Sequence, residues 1–135
     1  MNRVVHFEIY VDNTKRAVKF YKQVFGWEIT KWNGATKEVK EYWMVMTAPA
    51  DSKEPGINGG LLPRPMKIPK EMCGVNSFVC TVAVKDINET IKDIKKAGGR
   101  ETVAKFALSG MAWQAYYFDT EGNMFGIHEP DKNAK

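Results

Sequence analysis

The chain has 135 residues, 44% hydrophobic and 27% charged, with a formal net charge of +4. That length serves one domain with a sizeable core, and no apolar run reaches the ~18 residues of a membrane-spanning helix. The basic residues are dispersed among acids, with no basic block carrying interleaved aromatics, so neither a membrane nor nucleic acid is an expected partner. The positive balance favours an anionic small molecule, although local charge at a site decides that.

The opening, MNRVVHFEIYVD, goes straight into a strand pattern without a leader, and the expected compartment is the cytoplasm. Val5, Phe7, Ile9 and Val11 alternate with His6, Glu8 and Tyr10, which puts a histidine, a carboxylate and a phenol on one face. A helix follows, with Asp12 or Asn13 able to cap it, Ala17, Val18, Tyr21, Val24 and Phe25 as its apolar stripe, and Gly26 as its stop. EYWMVMTA and GINGGLLP then read as strands. Five of the six prolines lie between Pro49 and Pro69 and mark an irregular loop and a linker.

The same order returns at an offset of 73 residues: Val11 falls on Val84, Val18 on Ile91, Tyr21 on Ile94 and Gly26 on Gly99. Asp86 with Glu89 three residues on has capping-box spacing, Ile87, Ile91 and Ile94 form the stripe, and Gly98 and Gly99 end the helix. MAWQAYYFDT matches EYWMVMTA, with Trp113 over Trp43, and NMFGIHEP matches GINGGLLP, with Gly126 over Gly60. The expected organisation is one domain over 1–135, with a first repeat at about 3–63, a linker at about 64–75 and a second repeat at about 76–130. Its class is α+β: two βαβββ repeats whose curved sheets form a cleft, with helices on the outer face. Cys73 and Cys80 fit neither a disulfide framework nor a zinc motif, and Cys80, alternating with Phe78 and Val82, reads as a buried free thiol.

DTEG at 119–122 reads as a hairpin turn that pairs Tyr117 with Met124, Ala115 with Gly126 and Trp113 with His128. If Gly126 faces the cleft, so do Trp113, Tyr117, Met124 and His128, and by repetition Trp43 and Val45. Tyr116, Phe125 and Ile127 would then pack on a helix.

The duplicated pattern, FYKQVFGW after the first strand and YFDTEGNMFGI near the end resemble the vicinal oxygen chelate superfamily, which includes glyoxalase I, extradiol dioxygenases, and fosfomycin- and bleomycin-resistance proteins. The resemblance implies a cleft with a divalent metal held by His or Glu from the first and last strand of each repeat, and a homodimer. Carried over by position, those ligands fall on His6, Gly60 (Gly59 if the register slips), Val79 and Gly126. Only His6 carries a donor, and a lone histidine is a weak site. No cofactor is therefore expected, and no metal ligand beyond His6. A divalent metal in a rearranged site, with Glu8 and His128 as substitute donors, is the alternative. The expected function is small-molecule binding with a degenerate metal site. His6 and Glu8, paired on one face, are the candidate catalytic or orienting groups. Tyr10, Trp43, Gly60, Val79, Trp113, Tyr117, Met124, Gly126 and His128 are the candidate lining. The alternative function is a lyase or isomerase using His6 and Glu8 or the rearranged metal. No catalytic triad, phosphate loop or dinucleotide fingerprint is present.

Overall fold

In the first repeat, β-branched and aromatic residues alternate into strand β1 (Phe7–Val11), and helix α1 (Thr14–Phe25) follows it directly. The computed structural model describes residues 6–34, 41–65 and 79–135; Val5, Cys73, Phe78 and most of the expected linker lie outside them. Asn13 caps α1, its side chain accepting from the Arg16 amide at 3.0 Å, and Gly26 ends it at φ 68°, a left-handed turn that favours glycine. Strands β2 (Glu28–Lys31), β3 (Trp43–Met46) and β4 (Gly59–Pro63) complete a four-stranded sheet in the order β1-β4-β3-β2. The β1–β4 pairing is parallel and sets Glu8 opposite Gly60; the other two pairings are antiparallel and set Met44 opposite Gly60 and Thr30 opposite Met44.

This register sorts the side chains into two faces. Val11, Ile29, Val45 and Leu61 are at most 3% exposed and share the core with Ala17, Phe20 and Tyr21 of α1. Trp27 joins the layers: its ring stacks on Tyr21 at 5.1 Å and meets Phe7 at 5.8 Å. The opposite face, with His6, Glu8, Tyr10, Thr30 and Met44, is exposed.

The second repeat is built alike. Strand β5 (Thr81–Ala83) leads to α2 (Ile87–Lys96), then β6 (Arg100–Leu108), β7 (Ala112–Phe118) and β8 (Met124–Pro130), with sheet order β5-β8-β7-β6. Asp86 caps α2 by accepting from the Asn88 and Glu89 amides. Glu89 does not close a capping box; its carboxylate takes Lys92 at 2.6 Å. The Ile87 amide is met instead by Glu129 of β8, at 2.7 Å. Each repeat forms a compact unit of its own, Met1–Ile68 and Pro69–Lys135. The class is α+β, with two open four-stranded sheets. No helix among the described residues is long and apolar enough to cross a membrane.

The hairpin register differs from the expected one by a single residue. Met124 pairs with Phe118, Gly126 with Tyr116 and His128 with Gln114. The turn is the cause: Asp119 accepts from the Glu121 and Asn123 amides, and its own amide bonds the Asn123 carbonyl, which closes a five-residue loop at 119–123. A slip of one turns every side chain over. Trp113 and Tyr117 therefore share the row of Ala115, Phe125 and Ile127, of which all but the half-buried Trp113 are buried, and Tyr116 stands with Gly126 on the other. Trp43 and Val45 likewise lie on the helix side, where the Trp43 indole N–H reaches Glu41, which also accepts from Thr14 of α1. Cys80 is exposed, not buried, because it precedes β5 and its carbonyl alone is engaged, by the Gly126 amide.

Leu61 has no exposed surface, so Leu61→Ala is expected to cost about 2–5 kcal/mol of stability in denaturant titration. Met44→Ala on the same sheet removes a side chain that is 42% exposed and is expected to stay within about 0.5 kcal/mol of wild type.

Candidate functional site

On the open face of the first unit, His6, Glu8, Trp32, Tyr42, Met44 and Asn58 border a pocket of about 430 Å³. Their positions follow from alternation. His6, Glu8 and Tyr10 are successive outward residues leading into and along β1, and Met44 stands outward on β3 between Tyr42 and Met46. The Trp32 amide bonds the Tyr42 carbonyl at 2.9 Å, extending the β2–β3 ladder, and the two rings meet edge to face at 6.2 Å. Asn58 enters from the loop before β4, where its side-chain oxygen accepts the Thr47 amide at 2.9 Å.

Tyr42 organises this face. Its ring lies over Gly60, so that a Cβ at residue 60 would fall among the ring atoms. Its hydroxyl stands 2.7 Å from His6 Nε2. No direct His6–Glu8 hydrogen bond is formed; the hydrogen-bond partner of His6 among the described residues is Tyr42. Burial, and secondarily the negative charge of Glu8, raise the Tyr42 pKa above 10.0. The phenol is therefore neutral at physiological pH, with one proton to give and lone pairs to accept.

In the second unit, the row holding Gly126 carries Thr81, Gln114, Tyr116 and His128. Gln114 is 5% exposed and its side-chain oxygen lies 2.9 Å from His128 Nδ1. A Cβ at residue 126 would come within 2.6 Å of Thr81 Oγ1 and 2.9 Å of Gln114 Nε2. Val79 precedes β5 and is half-buried, and Met124 shares the Gly126 row. Trp113 and Tyr117 are occupied elsewhere: the Trp113 N–H reaches Asp131 at 3.0 Å under Lys105, and the Tyr117 hydroxyl donates to Glu101 at 3.0 Å. Reading the residues in order missed Trp32, Tyr42, Gln114 and Tyr116. Row parity finds all four once the two registers are known.

Residues 3–127 match the profile of the Glyoxalase/Bleomycin resistance protein/Dioxygenase superfamily. The chain belongs to that superfamily. A glyoxylase-like domain-containing protein of Didymella fabae is 30% identical over 122 residues, covering 89% of this chain and 88% of that protein. Among solved structures, the chain is similar to a mutant of the fosfomycin resistance protein FosX from Listeria monocytogenes, complexed with Mn(II) and 1S,2S-dihydroxypropylphosphonic acid. That match has a TM-score of 0.67 and 12% identity, and covers 95% of this chain and 90% of that one. A glyoxalase-related enzyme from Fulvimarina pelagi aligns with a TM-score of 0.64 and 13% identity over 96% of this chain and 88% of that one.

Superfamily relatives can hold a metal, as that FosX structure does, but the described residues of this chain do not gather a set that fits one. No three His, Cys, Asp or Glu side chains gather among the described residues. In the first unit, the space a donor at Gly60 would need is taken by Tyr42, which also engages His6. In the second, Val79 has no donor atom, and the space at Gly126 is shared by Thr81, Gln114 and Tyr116.

Two outcomes follow. Gly60→Ala drives a methyl group into the Tyr42 ring, with an expected cost of about 1–3 kcal/mol. Most of that cost should vanish in a Tyr42→Ala background, a coupling that a double-mutant cycle reads directly. In alkaline titration, the tyrosinate absorbance that distinguishes wild type from Tyr42→Phe should have its midpoint above the ordinary tyrosine value of 10.0. Because the folded value is raised, the stability Tyr42 contributes is complete below the unfolded phenol value and is lost as pH climbs through the folded one. Glu8→Gln should bring the ionisation down part of the way, since burial is the larger cause.

Proposed function

We propose that this chain is a metal-independent small-molecule-binding protein whose ligand occupies the pocket on the open face of the first unit. The observation that carries this reading is the His6–Tyr42 hydrogen bond over Gly60: a neutral phenol and an imidazole meet on the row to which the resemblance assigns metal ligands, beside an open pocket of about 430 Å³. That volume suits a small ligand, and the mix of Trp32 and Met44 with a few polar groups is typical of such sites. The aromatic and thioether groups supply contact area, and His6, Tyr42 and Asn58 supply direction.

The same hydrogen bond supports a second reading, a lyase or isomerase. An imidazole and a phenol in contact are an acid–base pair, and Tyr42 takes the place beside His6 assigned to Glu8 from sequence. The proposal includes a homodimer, supported by the exposed Val103, Phe106 and Met111 on and beside β6, and a cytoplasmic location, supported by the free, exposed thiol of Cys80.

Two measurements check the proposal. Equilibrium dialysis of untagged protein against Co(II) is expected to leave less than a stoichiometric amount bound; one equivalent that disappears in His6→Ala would overturn the metal-independent reading. A small-molecule screen followed by tryptophan emission is expected to yield ligands that quench Trp32. Their affinity should fall by about 1–3 kcal/mol in Tyr42→Phe or His6→Ala and stay unchanged in Trp113→Phe.

A further inference from the structure

Glu8 borders the pocket with no hydrogen bond or ion pair to any described residue. Directly across the β1–β4 pairing lies Gly60, which has no side chain to cover it. Trp32 and Met44, 38% and 42% exposed, stand on the same open face, and the Tyr42 ring completes the border. We infer that the pocket selects a small organic cation, an ammonium group on an aromatic or aliphatic body, with Glu8 as the charge partner and the Trp32 and Tyr42 rings as the cation-binding faces. This rests on the proposed pocket and specifies its ligand class.

The charges decide the sign. Among the described residues bordering the pocket, Glu8 is the one carboxylate, and there is no lysine or arginine. An anion placed there would meet Glu8 without a counter-charge from the described residues of the border. Arg64, just past β4, is committed to Asp12 at 3.0 Å and to the Tyr10 carbonyl at 3.0 Å. A cation meets a carboxylate and aromatic faces together, the combination that recognises ammonium groups. The overall charge of +4 points the other way, but dispersed surface charges are screened within a Debye length of about 8 Å at physiological salt. A contact with Glu8 is screened less, because the two charges then lie well within that length. The ligand sign suggested by net charge is thus reversed at the site.

Three probes sharing one ring system test this: 1-naphthylmethylammonium, 1-naphthylmethanol and 1-naphthylacetate, each titrated into the full chain while the Trp32 indole N–H resonance is followed. The ammonium is expected to bind at least about tenfold more tightly than the acetate at low salt. In Glu8→Gln that ratio should fall to about one. If naphthylmethanol binds at Trp32 but no cation preference exists, or the preference survives Glu8→Gln, the cation assignment is overturned and the pocket reading stands. If none of the three shifts the Trp32 resonance, the pocket reading fails, and the cation assignment fails with it.

Discussion

The parallel pairing of β1 with β4, which brings Gly60 opposite Glu8, is the constraint on which the candidate site depends. A side chain at residue 60 would occupy the middle of the open face. Glycine leaves that space to a ring from β3's side of the sheet, and Tyr42 fills it. Once there, the phenol reaches His6, and burial beside Glu8 keeps it protonated. The absence of one side chain thus sets the partner of the histidine and the surroundings that raise the tyrosine's pKa.

The second unit shows the same backbone solution with different contents. Thr81 stands opposite Gly126 as Glu8 stands opposite Gly60, and Tyr116 stands opposite Gly126 as Met44 does opposite Gly60. Here the space over the glycine is shared by Thr81, Gln114 and Tyr116, and the histidine is held by Gln114. Both units place a glycine at the centre of the row, with other side chains filling the space over it. Membership of the superfamily therefore describes the scaffold, and the side chains over the two glycines describe what this chain has made of it.

Much of the scaffold was legible because it rests on local periodicity. Alternation along β1, helical stripes ending at Gly26 and at Gly98–Gly99, and the repeat offset all reflect backbone geometry that neighbouring residues dictate. Faces were legible only where register was. His6, Glu8, Gly60, Gly126 and His128 lie on the rows expected for them. Trp113, Tyr116 and Tyr117 lie on the opposite rows, because the Asp119 carboxylate gathers the turn into five residues and shifts β7 against β8 by one, and Trp43, placed by repetition from Trp113, does so too. The similar spacing of Trp43 and Trp113 compounded the error: by strand pairing the counterpart of Trp43 is Ala115.

The sequence by itself determined the order of elements, the duplication, the superfamily and the lack of donors at Gly60, Val79 and Gly126, since each follows from residue identity or spacing along the chain. Only the tertiary structure decided which side chain takes the space over each glycine and which partner His6 finds. Tyr42 is 36 residues from His6 along the chain, and no period links them. They meet because two strands pair in one register, and a hydrogen bond set by register cannot be read from either strand alone.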